Sequence, residues 1–119
     1  MQVEALITAK TEESAEEAVQ AVRSLIQATS EENEASPEIT TSRVEQKAGL
    51  FETSYFASLI ADFAVGITSG LMTNLIYNYF KSAKKVNKDE SASEHEAERV
   101  EVDSENFSII FIITDSDKE

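Results

Sequence analysis

A chain of 119 residues with 23 acidic and 10 basic side chains, a net charge of −13 and no cysteine holds enough sequence for one domain and its core. The missing cysteines exclude a disulfide scaffold, zinc–thiolate sites and thiol chemistry. The acidity opposes binding to a phosphate backbone; it serves solubility, attracts a basic partner, or mimics nucleic acid to block a basic groove.

Met1-Gln2-Val3-Glu4-Ala5 has no basic segment leading into an apolar one, so it does not read as a secretory signal, and a cytoplasmic location is expected. Residues 3–8 read as a first strand, with Val3, Ala5 and Ile7 on one face and Leu6 as an exception to the alternation. Residues 11–27 read as an amphipathic helix. Thr11 or Ser14 caps it, and Glu12, Glu13, Glu16 and Glu17 favour its positive end. Ala15, Ala18, Val22, Leu25 and Ile26 supply its apolar face.

Residues 30–38 form a polar connection holding the only proline, Pro37. Residues 39–46 follow as one half-polar strand, at an edge or partly exposed, with Ile39, Thr40, Thr41 and Val44 as its β-branched residues. Ala48-Gly49-Leu50-Phe51 then turns the chain into its most unusual stretch. Between Glu52 and Lys81 the only charge is Asp62, although 28% of the chain is charged. This stretch reads as one helix over residues 54–82, capped by Ser54. Ser58, Asp62, Gly66, Ser69 and Thr73 form a small polar seam opposite Ile60, Ala64, Ile67, Leu71 and Leu75.

Such a helix either spans a membrane or forms the core. Its hydropathy and the G-x-x-x-G of Gly66 and Gly70 suit a span. Asp62, Asn74 and Asn78 oppose one, and so do flanking strands that a bilayer would separate. The core helix is the favoured reading. Its apolar residues exceed what one sheet covers, so self-association through Gly66, Gly70, Tyr77 and Phe80 is expected.

Lys81, Lys84, Lys85 and Lys88 either complement a helix C-terminus or form a basic patch for an acidic partner. Residues 83–98 read as a mobile acidic linker. Residues 99–103 and 107–114 form a hairpin. Ile109, Ile110, Phe111, Ile112 and Ile113 imply an inner strand buried on both faces, and residues 115–119 are a solvated tail.

The expected fold is therefore a single α+β domain, a two-layer sandwich in the order β-α-β-α-β-β, with a four-stranded sheet, two helices and a long apolar central helix. No catalytic, cofactor or metal motif stands out. His95, the only histidine, sits in a hydrophilic stretch. Asp62 either reaches water along its seam or pairs with a cation of a partner chain.

Ala48-Gly49-Leu50-Phe51, Gly66-Ile67-Thr68-Ser69-Gly70 and Tyr79-Phe80-Lys81 carry a resemblance. So does the order of a long Gly-containing helix between strands, a basic stretch and a hairpin. In these features the chain resembles the effector-associated constant component family of bacterial conflict systems, small domains that accompany separate effectors. The resemblance implies an accessory role and brings no catalytic residues. The acidic residues 89–98 and the net charge depart from the family pattern.

The sequence thus points to a non-enzymatic interaction or adaptor module, self-associating, in a bacterial or phage-related conflict system. Its interaction residues would be Asp62, Gly66, Gly70, Tyr77, Phe80, Lys81, Lys84 and Lys85, with a protein partner and no cofactor. A small acidic inhibitor or immunity-type protein that binds a basic surface is the alternative. A membrane-anchored subunit through residues 55–80 is the third reading.

Overall fold

The computed structural model describes residues 1–49, 52–64, 67–85 and 97–114. The first strand, β1 (Gln2–Ala9), leads through Thr11 into α1 (Glu12–Asn33). Thr11 is extended at φ −136°, and its hydroxyl accepts the Ser14 N–H at 3.0 Å, satisfying one of the free donors of the first turn. Thr11→Ala is expected to lower stability by about 1 kcal/mol in urea denaturation. A loss below ~0.3 kcal/mol would show that water caps the helix equally well.

Helix α1 runs past the expected end at Gln27. Thr29 Oγ1 donates to the Leu25 carbonyl at 2.8 Å, and Asn33 Nδ2 donates to the Thr29 carbonyl at 3.0 Å. These side chains bond back onto the helix instead of leaving it. The helix stops where Glu34 turns left-handed at φ 55°.

The long helix over residues 54–82 is replaced by strand β4 (Thr53–Asp62) and helix α2 (Ser69–Tyr79). The misleading signal is arithmetical. A spacing of four, as between Ser58 and Asp62, is one turn of helix and also two full periods of a strand. The deciding alternation is Ala57, Leu59 and Ala61 buried, with Ser58 and Ile60 half-buried between them. The helix cap is Thr68, whose hydroxyl accepts the Leu71 N–H at 3.2 Å, and not Ser54, which lies in the strand. With α2 only 11 residues long, no helix among the described residues is long and apolar enough to cross a membrane.

The expected strand over residues 39–46 is two short ones, β2 (Glu38–Thr41) and β3 (Glu45–Ala48), both paired with β4. The Gly49 N–H donates to the Glu52 carbonyl at 2.7 Å, so the turn at Gly49 leads into a strand. Residues 83–98 are not wholly a linker. They begin with β5 (Ala83–Lys85) and end inside β6 (Ala97–Asp103); residues 86–96, with Lys88 and His95, lie outside the described residues. Strand β7 (Phe107–Thr114) closes the hairpin as expected. The tail, residues 115–119, is also outside the described residues.

Among the described residues the result is an α+β fold with a seven-stranded antiparallel sheet in place of a four-stranded one. The strand order is β2-β4-β1-β7-β6-β5, with β3 also on β4. Strands β1 and β2 are parallel, with β4 between them, so β1-α1-β2 is a split crossover. Helix α1 packs on β1, β4 and β7, and α2 packs on β5, β6 and β7. Both helices lie on the face formed by Val3, Ala5 and Ile7 of β1 and their cross-strand partners, Ala57, Leu59 and Ala61 of β4 and Ile109, Phe111 and Ile113 of β7. Phe80, at the end of α2, brings its ring within 5.8 Å of the Phe111 ring.

The open face of the sheet as candidate functional site

Burial on one face leaves the other to be explained. Strand β7, expected to be buried on both sides, is buried only at Ile109, Phe111 and Ile113; Ile110 and Ile112 are half-buried. An antiparallel sheet with one wet face normally alternates apolar with polar residues. Here the outer positions of the three central strands hold Leu6, Phe56, Ile60, Ile110 and Ile112. Leu6 is 39% exposed, the unsatisfied exception in β1.

The register assembles these residues into one patch. Leu6 lies between Ser58 on β4 and Ile110 on β7. One step along, Glu4 lies between Ile60 and Ile112. In the other direction, Thr8 lies between Phe56 and Ser108. The twisted sheet forms a concavity of about 490 Å³ here, lined by Leu6, Thr8, Phe56, Ser58, Ser108 and Ile110.

A bulge shapes one side of the concavity. Thr41 pairs with Leu59 and Glu45 with Phe56, so Ser42, Arg43 and Val44 span what Ala57 and Ser58 span on β4. Ser42 keeps the ladder closed. Its N–H donates to the Ser58 carbonyl at 2.9 Å, and its hydroxyl accepts the Ser58 N–H at 2.9 Å. Beyond the bulge, Lys47 Nζ stands 5.4 Å from the centre of the Phe56 ring, a cation–π contact at the rim.

Charges flank the patch unequally. On the β2–β4 side Glu38 pairs in register with Asp62, and Glu45 with Phe56. On the β6–β5 side Arg99 lies opposite Ile112, and Glu101 lies between Ile110 and Lys84.

The residues singled out from the sequence do not converge on this patch. Asp62 is not sunk in an apolar helix; it ends β4, exposed, on the acidic flank. Lys84 is exposed on β5, with β1, β7 and β6 between it and β4. Lys81 is exposed in the turn after α2, and Lys85 ends β5. No basic residue occupies the last turn of α2, so none of these lysines serves as its charge cap.

Gly70 sits in the first turn of α2, where an added Cβ would meet no atom within 4 Å, so it makes no close helix approach. Gly66 is outside the described residues. Tyr77 and Phe80 are half-buried against the core, on the opposite side of the sheet from the open face. The patch residues were missed because their signal was assigned elsewhere: Leu6 to an irregularity, Ile110 and Ile112 to a doubly buried strand, Phe56 and Ile60 to a helix.

Comparison of the chain with protein-family models, with curated proteins and with solved structures finds no match.

Proposed function

We propose that this chain is a non-enzymatic protein-interaction module that works through the open face of its sheet. The observation that carries this reading is the apolar patch centred on Leu6, with Ile110 beside it and Phe56, Ile60 and Ile112 diagonal to it, on a face that neither helix covers. Contiguous apolar surface with a charged rim is what a protein partner desolvates and what solvent does not favour. An adaptor role in a bacterial or phage-related conflict system is the setting that the sequence resemblance implies. The long helix that formed part of that resemblance is not in the fold, so the setting rests on the short motifs.

Site-specific photo-crosslinking in cells tests the face. A photoreactive residue at Leu6 should form protein adducts, whereas one at Gln20, exposed on the outer side of α1, should not. Equal labelling at both positions, or none at Leu6, would refute the reading.

The acidic-inhibitor alternative draws on a different surface. Glu12, Glu13, Glu16, Glu17, Glu31 and Glu32 are all exposed on α1. Adducts from Gln20 that disappear at high salt would favour that alternative.

A further inference from the structure

We infer that the open face is covered by a second copy of this chain, packed sheet to sheet about a two-fold axis that runs along the strands between β1 and β7. The inference rests on the interaction reading above and names its partner. What points to a second copy is that the face is complementary to itself.

The sheet order β2-β4-β1-β7-β6-β5 has its midpoint between β1 and β7. A two-fold axis along the strands at that midpoint places β1 over β7, β4 over β6, and β2–β3 over β5. It preserves the position of each residue along the strand. Residues that share a row in one sheet therefore meet across the interface.

Leu6 and Ile110 share a row, so each Leu6 faces the Ile110 of the other copy. Glu4 and Ile112 share the next row, with Arg99 one strand further out. Glu4 of each copy therefore enters beside Arg99 of the other. The flanks also interchange. Arg99 of one copy comes over β4, within one residue pair of Asp62. Lys84 comes over the β2–β3 edge, which carries Glu38 and Glu45. Arg99 and Lys84 on one side of the apolar patch and Asp62, Glu38 and Glu45 on the other suit this axis, while Glu101 and Asp103, which share the first side, come over Ser58 and Phe56.

The size is adequate. Five strand positions at about 4.8 Å, over about seven residues at about 3.4 Å, give roughly 600 Å² per copy and roughly 1,200 Å² in all, at the lower edge of stable interfaces. Two sheets stacked in this way lie about 10 Å apart with strands near −30°, so the rows stay close to register at the centre. The net charge of −13 repels two copies at long range, but physiological salt screens charges beyond about 8 Å. An interface of one patch with itself closes at two copies.

Sedimentation equilibrium at tens of micromolar, with circular dichroism to verify folding, reads the result. The wild-type chain should weigh twice its 13.1 kDa. Leu6→Glu, at an exposed position, should keep its fold and weigh 13.1 kDa. Arg99→Glu should raise the dissociation constant roughly tenfold, and Asp62→Arg in the same chain should restore most of it. A dimer lost in Leu6→Glu but not rescued by the charge exchange would overturn the axis along the strands. A wild-type monomer whose Leu6 crosslinks to a different protein would remove the second copy and leave the interaction face standing. A dimer indifferent to Leu6→Glu, with no crosslinks from that position, would remove both.

Discussion

Phe111→Ala is expected to cost about 3–5 kcal/mol of unfolding free energy, measured from urea midpoints at constant slope. The ring is fully buried in the middle of β7, with Ala5 and Val100 as its cross-strand partners and the Phe80 ring 5.8 Å away. Alanine at Ala5 cannot expand into the space, and Phe80 is anchored to the end of α2. The void would therefore persist, and a persistent void is what makes such truncations expensive. Ile110→Ala is the control. A strand buried on both faces would give both residues a similar cost, but within one chain Ile110 faces outward and is half-buried, so in the Leu6→Glu monomer its loss should stay below about 1.5 kcal/mol. Equal losses in that monomer would mean that β7 is buried on both sides within one chain.

The second large effect separates strand from helix over residues 53–62. In the Leu6→Glu monomer, Leu59→Lys should abolish cooperative folding, and Ile60→Lys should leave it within about 1 kcal/mol of that parent. Leu59 is fully buried on the face that α1 covers, where an ammonium group would have neither water nor a partner. Ile60 is half-buried on the other face, next to Glu4, so a lysine there reaches solvent and faces an opposite charge. On a helix these neighbours would lie only 100° apart, within one broad apolar side, and would respond alike. Dispersed amide signals in one variant and collapsed signals in the other would establish the period of two. Matching spectra would contradict it.

Much of the fold was legible where a single period was possible. Strand β1 and helix α1 appear where the alternation of Val3, Ala5 and Ile7 and the capping hydroxyl of Thr11 put them. The hairpin of β6 and β7 is present, and β7 is an inner strand between β1 and β6. Legibility failed where apolar residues were dense. In residues 54–82, few polar residues marked a face, and the four-residue spacings satisfied both geometries. Only the partner strands β1, β2 and β3 decide that residues 53–62 are extended. Tertiary pairing of that kind leaves little trace in a local pattern. The candidate site was hidden for the same reason: a sheet face exists only once the register is known. Its best forewarning was Leu6, an apolar residue on what should have been the polar side of β1.

The bulge at Ser42 has a bearing on what this sheet cannot become. A sheet can recruit further chains along its edges, strand after strand, and growth of that type has no natural end. Here one edge is broken into two runs of four residues with the bulge between them, and its outer run carries Glu45 and Lys47. The other edge, β5, is three residues long and carries Lys84. Among the described residues, neither offers a flat, uncharged ladder for another strand to copy. In the proposed pairing, contact between chains falls not on the rims but on the broad surface of the sheet, where it is finite: a surface that has been covered cannot be covered again.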